Sequence, residues 1–529
     1  MPRSAVAKAK KGPTKRPAAA PRVAPTQLDL LAEPLLGICS ASGERKALSL
    51  PEVLAALGRD EIDAFTALQA HQQHAWHAFL VQLAAIALHR AKEEKARQSA
   101  TSWSEMLLAL TGGKREPWCL VVEDLARPAF MQPPVPEGKL DGFKHARFYA
   151  DEVDVLVTSK NHDVKMARVG RPRAEHWVYA LVTLQTMEGY SGPRNYGVAR
   201  MNSGAGSRPG VALTPTLDYG TRFRRDVSIA IAARDEIARG RYKSGGGVAL
   251  VWLEPWNGET SLSVDALDPL FIEACRRLRL VVEDGRIAAR FCPTTRTRIA
   301  ADELKGNTGD LWTPIDRKES KALTLGDGGF DYRKTQDILL AQDYEPGAAQ
   351  VAQRGDAGLL FIASVLARGM GKTNGYHDRL VAIPQHVTGL LRRQKDRDLL
   401  AARSRERVER VAEALGAVLK PALLTLIQGA PQRLDFQDRR AQRWLDAMND
   451  AVDALFFERL WADATVADEQ ARKSWANLVL ALARGQLERA YDSAPIPSAR
   501  RYRAISAAGR VFEGAARKRF SEAFEEGTS

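Results

Sequence analysis

Two regimes of hydrophobic patterning divide the chain, and the change falls near residue 387. Beyond it, apolar residues recur at helical spacing. Val408, Val411, Leu415 and Val418 form one stripe, and Leu445, Met448, Val452 and Leu455 a second. Trp475, Leu478 and Leu482 make a third, and Ile505, Val511 and Phe512 lie in a fourth segment, Ala499–Phe524. One apolar stripe opposite a charged face marks an amphipathic helix. Four such segments, interrupted at Pro421 and around Pro495–Pro497, predict a C-terminal four-helix bundle over residues 387–529.

Upstream the pattern is mixed. Residues 51–95 carry helical signals, with Ser49 before Pro51 as cap and start. His176–Met187 is apolar at helical spacing and predicts a buried helix. Pro128–Pro136 reads as a loop, because proline denies the chain both helix and central strand. Val153–Thr158, Val248–Leu253 and Leu278–Glu283 read as strands, with a helix at about Leu267–Arg277 between the last two. Gly355–Ala367 reads as helical and leads into a polar loop, RGMGKTNGYHD. The expected fold class is α+β: a mixed α/β domain over residues 27–386, then the bundle. Residues 1–26, rich in Lys, Ala and Pro, cannot bury a core and read as a disordered basic tail.

Composition agrees with this organisation. A chain of 529 residues is too long for one core, and domains of roughly 100–200 residues imply two or three. No run of about 18 apolar residues predicts a membrane span, and no apolar N-terminal core suggests a signal peptide. The expected compartment is the cytoplasm. Cys39, Cys119, Cys275 and Cys292 are far apart, with no CxxC pair to suggest zinc. The net charge is +13, but residues 1–28 supply seven cations without an acid, and residues 387–529 supply +5. The body between them is close to neutral, so any nucleic-acid surface there is a local patch.

No catalytic constellation emerges, and the sequence gives no catalytic residue, cofactor or metal ligand set. Gly371-Lys372-Thr373 matches the end of a phosphate-binding P-loop, but the glycine required five positions before Gly371 is Leu366. Asn161-His162 lacks the partner histidine of an HNH nuclease, and no G-x-S-x-G elbow is present. His71, His74 and His77 fall on one helical stretch with no carboxylate or cysteine nearby, so they read as a structural face. The nucleic-acid signal is stronger. Lys160, Lys165, Arg168, Arg171, Arg173, Arg194, Arg200 and Arg208 face only three acids between Thr158 and Arg208. Among them runs GPRNYGVARMNSGAGSRPG. Glycine lets a backbone approach a phosphate or base edge closely, Arg and Lys neutralise phosphates, and Asn and Ser donate neutral hydrogen bonds. A DNA-contacting loop and a Gly-rich surface turn both satisfy this composition.

The run TLQTMEGYSGPRNYGVARMNSGAGSRPG resembles the large subunit of the type I-E CRISPR Cascade complex, the CasA family. Further matches follow the same order. PAFMQ at Pro128 is similar to the family's HPFMQ segment. LVTSKNHD at Leu156 falls at its first nucleic-acid-contacting loop. KGNTGDLWTP at Lys305 is similar to a segment carrying a DNA-contacting lysine, and RGMGKTNGYHDR at Arg368 falls at its strand-separating wedge. The match spans about Gln27 to Phe524. Only Cys292 stands where some members carry a Cys-rich knuckle, and the wedge segment has no glutamine.

The resemblance implies a non-enzymatic subunit that recognises a protospacer-adjacent motif on duplex DNA and starts strand separation. The DNA-binding residues it implies are Lys160 and Asn161 in the first loop, and Asn202, Ser203, Gly204, Ala205, Gly206, Ser207 and Arg208 in the glycine loop. Lys305 would reach the groove, and Lys372, Thr373 and Asn374 would form the wedge. The implied partners are crRNA, target DNA, the small-subunit dimer, the backbone and crRNA 5′-end subunits, and a helicase-nuclease, recruited or fused to a neighbouring subunit. The competing expectation is an assembly scaffold with incidental DNA contacts.

Overall fold

The structure, a computed structural model, describes residues 28–154 and 170–524 apart from Ser203, Ala205, Ser244, Ala341, Gln342, Met370 and Gly371. The basic tail, Lys160, Asn161 and most of the expected strand Val153–Thr158 lie outside the described residues.

Two hydrophobic cores organise the chain. The first surrounds the helix Gln73–Ala91, in which every residue from Ala75 to Leu88 is buried. Its sequence is apolar or small on all sides, so neighbours cover every face. The one mid-helix amide, Gln82, donates to the carbonyls of Leu270 and Phe271 at 3.2 and 3.0 Å. The helix Ala174–Met187 packs beside it, with Tyr179 edge-on to Trp76 at 5.1 Å between ring centroids. The helical stretch expected over 51–95 is two helices. The first, Leu50–Gly58, starts at Ser49, whose backbone N–H donates to the Glu52 carboxylate at 2.8 Å. A short strand, Ile62–Phe65, intervenes before the second.

The second core is the bundle. A helix from Gln394 to Glu413 continues through a π-helical turn, Ala414–Leu419, into Lys420–Ile427. Pro421 therefore does not break it. The widened turn just before the proline absorbs the missing N–H and the ring's bulk. Gln442–Ala462, Asp468–Ser493 and Ser498–Arg519 complete the four rods.

An antiparallel sheet of Gly210–Thr214, Leu359–Gly369 and Lys372–Ile383 stands between the cores, with the Leu359 strand in the middle. The helix expected over Gly355–Ala367 is thus a strand. Leu359, Phe361, Ala363 and Val365 enter the bundle core, while Ile362 packs against the first core. A strand apolar on both faces has a nearly continuous hydrophobic run, which periodicity cannot distinguish from a buried helix. The helix expected near Leu267–Arg277 fails for the same reason. Leu267–Ile272 is a fully buried strand pairing in parallel with Val248–Leu250, and Pro269 inside it was the available signal against a helix. Leu278–Glu283 is a strand as expected, paired with Arg286–Phe291.

The α+β class holds, with a helical bundle toward the C-terminus. Its core nevertheless reaches back across residue 387 to include Val211, Leu323, Phe330, Tyr332, Phe361 and Val381.

Candidate nucleic-acid interface

The glycine-rich segment starts where the helix Ala174–Met187 ends, and it doubles back on itself. Gly189 N donates to Gly206 O at 2.9 Å, Tyr190 N to Gly204 O at 3.2 Å, and Arg208 N to Met187 O at 2.9 Å. It then extends the central sheet. Ser207 N donates to Leu366 O at 2.9 Å, and Leu366 N donates to the Ser207 hydroxyl at 2.8 Å. Gly206 lies opposite Ala367 with φ of 112°, and a Cβ there would sit 2.4 Å from Leu366 O. Only glycine permits this approach of loop to strand.

The same end of the Leu359 strand pairs with the start of the strand Lys372–Ile383. Gly369 pairs with Lys372 and Arg368 with Thr373, whereas Ala367 pairs with Gly375. Asn374 is therefore the extra residue of a β-bulge, a device that twists and re-aims a strand. Lys372 and Thr373 open a β-strand and not a helix N-terminus, so they are not the end of a P-loop.

Lys305 is exposed, at φ of 48°, in the turn that follows Asp302–Leu304. The next residue, Gly306, lies against Asn202. A Cβ on Gly306 would be 2.9 Å from Asn202 N. The loop thus touches two segments remote from it in sequence: Asn202 meets the turn after Lys305, and Gly206 meets the strand at Leu366–Arg368.

A buried carboxylate ties the loop to that strand. Glu188, 6% exposed, accepts from Arg368 Nη1 at 2.9 Å and from the Ser191 hydroxyl at 2.7 Å, and lies 3.2 Å from Arg276 Nη2. Burial pushes its carboxyl up, but Arg276 and Arg368 outweigh that and hold it below the ordinary value. Arg276 also donates to Gly189 O at 2.8 Å, tying the loop's base to the core. The sequence reading missed Glu188, Arg276 and Arg368. The signal available was an isolated acid at the head of a glycine- and arginine-rich run.

Two of the expected cations are corrected. Arg208 is not presented to DNA. It is 2% exposed and pairs with Asp310 at 3.1 Å, beside the Trp312 ring, and burial lowers its affinity for its proton. Arg200 is likewise internal, 3.0 Å from Glu273 and 3.7 Å above the Phe271 ring. An interior guanidinium tolerates burial only with such partners. Both arginines stiffen the loop's support. Arg171, Arg173 and Arg194 are exposed. Of the remaining expected residues, Asn202 and Gly204 are half-buried in the loop, and Ser203 and Ala205 lie outside the described residues with Lys160 and Asn161.

The three histidines have separate structural roles. His71 is 2.7 Å from Asp154 and His77 2.8 Å from Asp226, while His74 lies edge-on to Trp312 at 5.7 Å. Among the described residues no group of His, Cys, Asp and Glu is arranged to hold a metal, and all four cysteines are free. No helix among them is long and apolar enough to cross a membrane.

The two-core α+β body with its C-terminal helix bundle matches solved CRISPR-associated proteins in fold. The fold is that of the Cse1 (CasA) proteins of type I-E Cascade. The Cse1 structure from Acidimicrobium ferrooxidans matches with a TM-score of 0.61 at 17% identity, covering 94% of this chain and 99% of that one. Thermus thermophilus CasA (Cse1) matches at 0.62 and 13%, covering 93% and 100%. A chain of a CRISPR RNA-guided surveillance complex matches at 0.59 and 14%, covering 94% and 100%. No family model and no curated protein sequence matches the chain.

Proposed function

We propose that this chain is the large subunit of a crRNA-guided type I-E Cascade complex, which reads a protospacer-adjacent motif on duplex DNA and starts strand separation beside it. The observation that carries this reading is the glycine loop's contact with two remote segments, the turn after Lys305 and the strand at Leu366–Arg368. Neutral backbone donors of the loop and one groove-reaching lysine suit the minor groove, whose pattern is degenerate, so motif recognition is permissive. Pairing with crRNA then reads the remaining sequence. The hairpin end, with Lys372, Thr373 and Asn374, enters between base steps, against an unstacking cost of a few kcal/mol per step. Lys160 and Asn161 add a second contact loop. The subunit performs no chemistry, and cleavage falls to a helicase-nuclease, recruited or fused to a neighbour. The bundle meets the small-subunit dimer and the displaced strand, and the body meets the backbone and crRNA 5′-end subunits. The assembly works in the cytoplasm.

The test is Lys305→Ala combined with Asn202→Ala in the assembled complex, read as capture of motif-bearing duplex against salt. The expected outcome is weaker capture, with a log–log salt slope shallower by about 1 for the lost phosphate contact. Arg208→Ala should instead lower thermal stability, because it strands Asp310 in the interior. Undiminished capture by the double variant overturns the reading and favours a scaffold, for which neither substitution matters.

A further inference from the structure

A cavity of about 360 Å³ lies beside the second core, lined by none of the glycine-loop residues. That volume falls in the range of small-molecule sites. Four guanidiniums line it, those of Arg317, Arg354, Arg392 and Arg397, and no Asp or Glu does among the described residues. Asp356, close by in sequence, spends its carboxylate on Arg225 at 3.3 Å and on Gln353 N at 2.7 Å. Arg392 donates to Gln353 O at 2.9 Å and Arg397 to the Gln394 side chain at 2.8 Å, which fixes both side chains without neutralising them. The side chains of Arg317 and Arg354 have no acceptor among the described residues. The floor is apolar and partly aromatic: Leu213, Phe361 and Leu391. Gln350 stands in the wall, and its amide Nε2 and Oε1 are both buried without a partner.

Each feature constrains the occupant. Four uncompensated guanidiniums select a polyanion, and their forked donors suit phosphate oxygens. An apolar lining that includes the aromatic ring of Phe361 suits a planar hydrophobic body. An amide lacking both an acceptor and a donor is completed by an edge that supplies one of each, the pattern by which glutamine pairs with adenine. We propose that this cavity binds an adenine nucleoside polyphosphate, base against Phe361 and Gln350, phosphates among the four arginines. Among the described residues no carboxylate lines the cavity to carry a metal or activate water, so the nucleotide is a bound effector. The proposal is independent of the DNA reading.

Calorimetric titration of the isolated full chain with ATP, and separately with inorganic tripolyphosphate, both without magnesium, tests it. The expected result is saturable 1:1 binding of ATP, at least about tenfold tighter than tripolyphosphate, with a raised melting temperature. Arg317→Ala with Arg354→Ala should weaken ATP at least about tenfold, as the loss of two charge-assisted contacts requires. The unliganded melting temperature should stay in place, since both side chains are exposed. Gln350→Leu should weaken ATP and leave tripolyphosphate unchanged. Absence of ATP binding at millimolar concentration overturns the proposal, as does equal affinity for tripolyphosphate, which would make the site a bare anion trap. Undiminished ATP binding by the arginine double variant overturns it as well.

Discussion

Replacing Glu188 by glutamine isolates the contribution of charge to the glycine-loop face. The side chain keeps its shape and one acceptor oxygen, but two buried guanidiniums lose their shared counter-ion. Breaking a buried ion pair by removing one partner typically costs 3–5 kcal/mol. The lower end applies here, because the Arg368 side chain is 10% exposed and can turn toward solvent. A loss of about 3 kcal/mol corresponds to an opening equilibrium raised roughly 100-fold. The two-core chain is not expected to unfold in one step, so a global midpoint is a poor reporter. Amide hydrogen exchange is the appropriate assay. Gly189 N, Ser207 N and Arg208 N, bonded to Gly206 O, Leu366 O and Met187 O, should lose about 100-fold protection. Bundle amides around Val452 should be unchanged. The pH dependence follows from the depressed carboxyl. In the wild-type chain the clasp's contribution is complete above the unfolded value of 4.5, and is lost only as pH falls through the lower folded value. Protection of those three amides within about threefold of wild type in Glu188→Gln would refute the clasp.

Gly206→Ala places a Cβ against Leu366 O at positive φ. The backbone penalty of about 1–2 kcal/mol and two lost hydrogen bonds of about 1 kcal/mol each should detach the loop, as seen in the exchange rates of Ser207 and Leu366, and wild-type rates would contradict the close approach. The interior histidines should make stability fall with acid. Burial lowers His74 well below 6.5 and, against the opposing Asp226 carboxylate, also lowers His77, so the unfolded chain takes up protons more readily than the fold. Stability is full above pH 6.5 and falls below it by up to about 1.4 kcal/mol per pH unit for each histidine. Urea midpoints between pH 7 and 5 should show this slope, reduced in His74→Leu, and a flat profile would mean that the rings are protonated in the fold.

The bundle was the most legible part of the sequence, because each rod leaves one charged face in water and so prints its period on the chain. The sheet at the seam was the least legible. Leu359–Gly369 is covered on both faces, and a strand of that kind has no polar alternation to betray it. The candidate site was half readable. Glycine spacing marked the loop, but the hairpin was read as a helix and a polar loop. The arginine count did not separate interior from surface cations, because the acids that permit burial are distant. Glu273 lies 73 residues from Arg200, and a single sequence does not show which acid folds onto which cation. Glu188 was invisible for the same reason, since Arg368 arrives from 180 residues away.

The hairpin has its root in one lobe and its end in the other. Trp461 Nε1 donates to Ala382 O at 2.9 Å, and Arg379 pairs with Asp453, both on the bundle helix Gln442–Ala462. Ten residues back along the same strand is Lys372, and at about 3.3 Å per residue the two ends stand roughly 33 Å apart. The strand therefore behaves as a stylus clamped in the bundle with its point at the glycine loop. Tilting the clamp by about 5° carries the point roughly 3 Å at that length, the thickness of one base-pair step. Whatever pushes on the bundle moves the point.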